Sequence, residues 1–186
     1  MDLIYIVLGL FVLVAVLVIA TYNSLIAKRN DVKSSYSSID VQLNQRYDLI
    51  PNLVASVKAY FEHEKGTLEQ IVKLRENAMS ASTAVAKFNL NNELSSAIKG
   101  LNVQIENYPD LKASANVVNL QNALKDCEEQ ISAARRAYNS AVTSYNNACE
   151  TFPSNIIANM FNFKKADFYE AVAEHKSNPN VKDLFE

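Results

Sequence analysis

Three tyrosine–asparagine pairs are the residues whose type and spacing most readily suggest chemistry. Tyr138-Asn139 and Tyr145-Asn146 are one heptad apart, and Tyr22-Asn23 repeats the dipeptide near the N-terminus. Aromatic rings beside amides could stack on a small ligand in a pocket between helices. The same spacing is also typical of rings packed in a helical core, where each hydroxyl and amide finds its hydrogen bonds at the solvent-facing edge of the core. We favour packing, because core aromatics at helical spacing are ordinary.

Glu62-His63-Glu64 suggests a metal site, but the residues around it do not fit the known metal-site spacings. A zinc protease helix needs a second histidine four positions after the first, and Thr67 stands there. Di-iron sites in helical bundles need a glutamate three residues before a histidine. Tyr60 and Val172 precede the chain's two histidines at that spacing. We therefore predict no metal and no other cofactor.

The two cysteines, Cys127 and Cys149, are 22 positions apart on one predicted helix. At 1.5 Å per residue this places them roughly 33 Å apart, too far for a disulfide within the chain. Cys127 has no adjacent histidine, and burial on a helix would raise its pKa rather than activate it. The three glycines are scattered singly, so no glycine-rich loop can hold a phosphate. We therefore predict no catalytic residues and no enzymatic activity.

The candidate residues lie on a long segment, 117–152, whose apolar positions recur at alternating spacings of three and four. That period is typical of a helix that buries one narrow seam against neighbouring helices. Late in the segment large side chains alternate with alanines, which lets facing helices approach closely. The predicted seam consists of Val117, Leu120, Leu124, Cys127, Ile131, Ala134, Tyr138, Ala141, Tyr145, Ala148 and Phe152.

The N-terminal stretch Leu3-Ala20 is an uninterrupted apolar run, and no charged residue occurs from Leu3 through Ala27. About 20 apolar residues span a bilayer, so we predict a retained transmembrane helix that contacts the lipid bilayer. Lys28, Arg29 and Lys33 follow the run, whereas only Asp2 precedes it. Positive residues favour the cytoplasmic side, so we expect the rest of the chain to be cytoplasmic at the plasma (inner) membrane.

Scarce glycine and four strong apolar periodicities predict few, long helices, and no segment alternates with the period of a strand. The predicted fold is all-α: an N-terminal transmembrane helix followed by an antiparallel up-and-down four-helix bundle with long helices. Pro51 inside a helix would cost about 3 kcal/mol, so we expect one helix to end near Arg46 and the next to start near Leu49. A continuous kinked helix is the alternative, because the apolar seam does not lapse there.

The chain divides into four predicted parts. They are a transmembrane anchor (1–27), a helical bundle (28–152), an apolar C-terminal segment that caps the bundle (153–173) and a flexible tail (174–186). The rival interpretation of the apolar segment is an exposed patch that meets a partner or lipid. Residues 28–186 should fold without the anchor, because each long apolar helix face beyond the membrane can pack against another within this range.

Several runs of residues resemble the LemA family in collinear order over almost the whole chain. The most specific is Arg46-Tyr47-Asp48-Leu49-Ile50-Pro51-Asn52, and others are Ile39-Asp40-Val41-Gln42-Leu43, Tyr108-Pro109-Asp110-Leu111, Arg135-Arg136-Ala137-Tyr138-Asn139 and Phe152-Pro153-Ser154-Asn155-Ile156-Ile157-Ala158. Signature positions to which the resemblance assigns no role are Arg46, Tyr47, Asp48, Pro51, Asn52, Tyr138, Asn139, Tyr145 and Asn146. Two departures are Tyr36, where the family usually has tryptophan, and Asn162, where it usually has glycine before Phe163.

The resemblance implies a single-pass membrane protein with a four-helix bundle and no established enzymatic activity. One branch of the family is tied to formation of magnetosome membranes. We therefore expect a non-catalytic scaffold that meets an unidentified membrane or cytoplasmic protein, or a second copy of itself. With a net charge of −2 and no basic stripe, nucleic acid is not expected as a partner. The alternative is a small-ligand sensor or enzyme that uses a pocket near Arg46, Asp48 and the tyrosines.

Overall fold

The computed structural model describes residues 2–61 and 65–169. Their regular structure is entirely helical, as predicted, and no strand occurs among them. The elements are α1 (Asp2–Val57), α2 (Lys65–Ser80), α3 (Ala84–Ile105), α4 (Pro109–Lys112), α5 (Ala115–Glu150) and α6 (Ser154–Met160). Glu62-His63-Glu64 and the predicted tail lie outside the described residues.

Helix α1 is continuous through Pro51, so the predicted break between Arg46 and Leu49 is wrong and the continuous alternative is confirmed. A proline at position 51 leaves the main-chain carbonyl of Tyr47 without its usual helical donor. Arg75 of α2 supplies one, since its Nε donates to that carbonyl at 2.7 Å. Pro51 itself is exposed, so its ring meets no packed neighbour on that side.

The first half of α1 contains the candidate membrane anchor. The large apolar side chains from Leu3 to Ile19 are exposed except for the half-buried Val18, and the helix is long and apolar enough to cross a membrane. Burial begins with Leu25, whose side chain is almost completely enclosed. The change from an exposed apolar surface to a packed one therefore falls between Ala20 and Leu25.

The described residues divide into two compact units. The first unit comprises 2–40 and 133–168, and the second comprises 41–132 and Tyr169. Helices α1 and α5 each contribute a segment to both. The core of the first includes Leu25, Ile39, Tyr138, Val142, Tyr145 and Ile157, and the core of the second includes Leu43, Tyr47, Ile50, Leu53, Leu94, Leu101 and Ile105.

Helix α5 follows the predicted seam over most of its length. Val117, Leu124, Cys127, Ile131, Tyr138 and Tyr145 are buried, and Leu120 and the three alanines are half-buried. Phe152 was wrongly placed on the seam, because it is 76% exposed. The helix ends at Glu150, so Phe152 no longer follows the helical period. Val142 and Cys149 are buried near the end instead.

Local sequence sets the remaining helix boundaries. The small residues around Ser82 separate α2 from α3, and Thr83 caps α3 because its Oγ1 accepts from the Ala86 N–H at 3.2 Å. Pro109 occupies the first turn of the short helix α4, where its missing N–H costs little. These turns position α3 and α5, which carry most of the polar groups described below.

Candidate functional site

The signature residues of α1 divide between two faces of the helix. Arg46 and Tyr47 are buried in the second unit, with Arg46 only 2% exposed. Asp48, Pro51 and Asn52 are exposed. The structure therefore does not bring Asp48 to the buried guanidinium of Arg46, as a shared pocket would require.

Arg46 is held by side chains of α3 and α5. Its Nη1 lies 3.2 Å from Oε2 of Glu128 and donates to Oγ of Ser95 at 2.9 Å. The Ser95 hydroxyl also lies within hydrogen-bond reach of the Glu128 carboxylate and of the Asn91 carbonyl. Burial lowers the pKa of Arg46, and the negative charge of Glu128 offsets part of that effect. The group is a paired, buried cation and has no acid–base role at neutral pH.

Tyr47 is anchored at both its hydroxyl and its carbonyl. The hydroxyl accepts a hydrogen bond from Nδ2 of Asn91 at 2.6 Å, and the carbonyl accepts from Arg75. Asn91 also donates to the carbonyl of Lys87. Arg75 of α2 thus completes the hydrogen bonding of the proline-containing helix, and Asn91 of α3 fixes the Tyr47 ring beside it.

Sequence reasoning missed Asn91, Arg75, Ser95 and Glu128. A signal for Asn91 was present, because positions 91, 94, 98, 101 and 105 of α3 follow the seam period and only the first is polar. A polar residue on an apolar seam needs a partner. No spacing pattern indicated the partners of Arg46, which come from two other helices.

A polar cleft of about 360 Å³ lies beside Arg46 within the second unit. Its walls include Lys99, Gln121, Lys125 and Glu128. Chemically it could admit a small polar molecule, but the Arg46 guanidinium on its wall is already bonded to Glu128 and Ser95. Among residues 2–61 and 65–169, no three metal-binding side chains come together.

In the first unit, α5 binds the main chain of an irregular segment, residues 163–168, which we name the strap. Tyr138 donates its hydroxyl to the carbonyl of Asp167 at 2.9 Å, and Tyr145 donates to that of Lys164 at 2.8 Å. Asn146 pairs with Ala166 through both amide groups, each at 2.9 Å. The strap lacks regular structure, so its carbonyls have no partners from a helix or sheet and accept from these side chains instead.

Tyr138, Tyr145 and Asn146 therefore pack in this unit and hydrogen-bond to the strap, which favours the packing interpretation for these three residues. Both rings are buried, and Asn146 is buried beside them, whereas Asn139 is half-buried. Tyr36, at the position usually held by tryptophan, contacts Tyr138 edge to face with 6.3 Å between ring centroids. An aromatic contact is retained despite the departure.

The phenols and the thiol of these cores are protonated at neutral pH. Burial, and then a hydrogen bond with Cys149, raises the pKa of Tyr145 to about 12. Burial and the nearby Asp167 carboxylate raise the pKa of Tyr138. Burial also raises the pKa of the Cys127 thiol, as expected from its position on the seam. None of the three is an activated nucleophile.

An aromatic cluster joins α1 to the segment after α6. The ring of Tyr22 lies 4.8 Å from that of Phe161 and 5.7 Å from that of Phe163, centroid to centroid. The Arg29 guanidinium lies over the Phe163 ring at 5.3 Å. Asn162, between the two phenylalanines, has a left-handed backbone with φ of 55°. The tight turn expected of a glycine is thus retained, because asparagine tolerates this conformation.

Comparisons with known proteins agree with the resemblance read from the signature. The model of the LemA family matches residues 35–182. Protein LemA of Metamycoplasma hominis is 26% identical, over 87% of this chain and 74% of its own. Magnetosome protein MamQ 2 of Paramagnetospirillum magneticum is 23% identical, and magnetosome protein MamQ of Magnetospirillum gryphiswaldense is 22% identical. In both cases the match covers 80% of this chain and 64% of the relative.

Proposed function

Because the chain belongs to the LemA family, we propose that it is a single-pass, membrane-anchored protein with a non-catalytic scaffold or interaction role. The family match and the magnetosome relatives support a membrane-associated helical protein. We propose further that the N-terminal part of α1 crosses the plasma membrane, and that the rest of α1 forms an antiparallel four-helix bundle with the helices that follow it. Magnetosome proteins among its relatives support a part in membrane organisation.

The observation that carries the proposal is that the reactive side chains of the signature are engaged in holding the fold. Arg46 is bonded to Glu128 and Ser95. Tyr138 and Tyr145 bond to the carbonyls of the strap. Groups committed in this way are suited to fixing a shape that other molecules recognise, rather than to turning over a substrate.

The cleft beside Arg46 does not favour the ligand-binding alternative. The Arg46 guanidinium on its wall is paired with Glu128, and Asp48, which that alternative requires near Arg46, lies on the exposed side of α1. The name of each relative given above designates no enzyme.

Orientation is part of the proposal and has its own test. Lys28, Arg29 and Lys33 against Asp2 support a cytoplasmic location for both units. A Ser177→Cys variant offers a thiol in the C-terminal tail, while Cys127 and Cys149 are buried. An impermeant thiol reagent should label it only after the cells are opened. Labelling in intact cells would contradict the cytoplasmic placement.

The scaffold role is tested by crosslinking in native membranes. Lys99→Ala and Lys125→Ala alter the cleft without touching the Arg46 bonds. A scaffold should remain in the membrane after alkaline carbonate extraction, and both variants should recover the wild-type set of crosslinked proteins. Loss of the crosslinked set in both variants, with the fold intact by circular dichroism, would instead favour a ligand in the cleft.

A further inference from the structure

Four large apolar side chains are exposed within ten residues around α6. Phe152, Ile156, Met160 and Phe161 are 76%, 56%, 62% and 50% exposed, and we name them the α6 face. The other exposed large apolar residues described beyond the anchor are separated along the chain: Val41, Tyr60, Met79, Val85, Val103, Val118 and Phe168. Exposed apolar side chains clustered in this way usually mark a surface that meets a partner or lipid.

Helix α6 is fixed to the first unit by its other side. Ile157 and Ala158 are buried, whereas Ile156 and Met160, one turn apart, both point outward. The N–H of Phe163 donates to the carbonyl of Ala158 at 2.9 Å and closes the C-terminal end of the helix. The exposed side chains therefore lie on a helix whose other side is packed in place.

The contacts of Tyr22 give the level of the α6 face along α1. Tyr22 lies two residues beyond the apolar run Leu3–Ala20, or about 3 Å along the helix. Its ring contacts that of Phe161. If the run spans the hydrocarbon layer, both rings lie at the membrane–water interface, where aromatic side chains are enriched.

Basic residues lie beside this aromatic cluster in the first unit. Arg29 lies over Phe163, and Lys28 lies six residues, or about 9 Å along the helix, beyond Tyr22. Lys164 and Lys165 directly follow Phe163, and Lys165 is paired with Glu150. Cations at this level suit the anionic headgroups of a bilayer.

We propose that the α6 face inserts into the interfacial region of the same bilayer that α1 crosses, so that the protein has a second lipid contact beside its anchor. The proposal rests on the proposed membrane anchor and adds lipid as the occupant of this face. Interfacial helices bury their apolar side roughly 5–10 Å below the headgroups. The α6 face provides that side, and the neighbouring basic residues provide the polar edge.

The chain contains no tryptophan, so single substitutions give an unambiguous fluorescent probe. Four full-length variants are reconstituted in vesicles containing an anionic lipid: Phe152→Trp and Phe161→Trp at the ends of the α6 face, Phe11→Trp in the anchor, and Phe168→Trp as matched control. Phe168 suits as a control because it follows Asp167, whose carbonyl accepts the Tyr138 hydrogen bond, and Tyr138 contacts Tyr36. Tyr36 lies 14 residues beyond Tyr22, about 21 Å along α1, so these contacts place Phe168 away from the level of Tyr22.

Quenching is measured with lipids brominated either near the headgroup end or near the methyl end of the acyl chain. The probes at 152 and 161 should emit at short wavelength and lose emission mainly to the shallow bromines. The probe at 11 should lose emission mainly to the deep bromines, and the probe at 168 should be quenched by neither. Circular dichroism confirms that each variant is folded.

Four results would overturn the proposal. Water-like emission at 152 would show a face in solvent, and short-wavelength emission there without bromine quenching would show a protein partner or a second copy as occupant. An unquenched probe at 11 would show that the N-terminal run does not lie in the bilayer, which would contradict the proposed function as well. A quenched probe at 11 with an unquenched probe at 152 would remove only the lipid contact of α6.

Discussion

The two units use buried tyrosines in opposite ways. In the second unit the Tyr47 hydroxyl accepts from Asn91, while the Tyr47 carbonyl accepts from Arg75. In the first unit Tyr138 and Tyr145 donate to carbonyls of another segment. One arrangement completes a helix interrupted by proline, and the other holds a segment that has no regular structure. In both, polar side chains donate to backbone carbonyls that lack helical donors.

The two arrangements also differ in charge. In the second unit the guanidinium groups of Arg46 and Arg75 make the hydrogen bonds between α1 and its neighbours. In the first unit neutral phenols and an amide make the hydrogen bonds to the strap. Hydrogen bonds from charged groups are the stronger kind. The neutral bonds instead depend on the phenols keeping their protons. The units should therefore respond differently to loss of one donor and to high pH.

The largest effect should come from removing a ring of the first unit. Tyr138→Ala deletes a buried aromatic that contacts Tyr36 and Asp167, so we expect a loss of about 3–5 kcal/mol in the free energy of unfolding. Urea unfolding can be followed on a fragment that starts at Thr21 rather than at residue 28. The earlier start keeps Tyr22 and the buried Leu25.

The control for that experiment is Lys125→Ala. Lys125 is exposed on α5, so the change should cost within about 0.5 kcal/mol. Equal urea midpoints for Tyr138→Ala and the parent would mean that the α5 seam is not the core of this unit.

The second largest effect should follow loss of the donor that serves the proline-interrupted helix. Arg75→Met leaves the Tyr47 carbonyl without its side-chain donor, so we expect a loss of about 1.5–3 kcal/mol. In a Pro51→Ala background the alanine N–H can reach that carbonyl. The Arg75→Met change should then cost clearly less, and a double-mutant cycle measures the difference. Equal costs in both backgrounds would mean that the Arg75 hydrogen bond does not compensate for Pro51.

A smaller effect, with its own pH dependence, is expected from Tyr145→Phe. Removing the hydroxyl loses the bond to Lys164, worth about 1 kcal/mol at neutral pH. The pKa of Tyr145 is raised from its ordinary value near 10 to about 12 in the folded state. The unfolded state therefore loses the proton first, and this stabilisation falls as the pH rises from about 10 through about 12.

The measurement is the difference in unfolding free energy between the parent and Tyr145→Phe at several pH values. That difference should be constant below about pH 10 and shrink above it. A difference that stays constant to the highest pH would mean that the hydroxyl ionises equally in both states.

Sequence periodicity predicted the helical class and most of the α5 seam, because burial of one helix face imposes a repeat that can be read directly. It failed at Pro51, since the cost of a proline depends on whether a distant residue such as Arg75 serves the freed carbonyl. It failed at Phe152 because a seam ends where its helix ends. The strap carries no period, so its donors on α5 could not be assigned from spacing.

The smallest effect should come from Asn162, which leads from α6 into the strap. Its φ of 55° lies in the left-handed region, where a side chain with a Cβ is strained by roughly 1–2 kcal/mol and asparagine is better tolerated than most. Asn162→Ala should therefore destabilise the fragment by at most about 1 kcal/mol, and Asn162→Gly should be neutral or slightly stabilising. The order glycine, asparagine, alanine in thermal midpoint would show that the strap is set by backbone conformation as well as by its side-chain donors. If alanine matched asparagine and glycine were the least stable, loss of the asparagine side chain would be immaterial. The tyrosine and asparagine donors of α5 would then hold the strap without help from this turn.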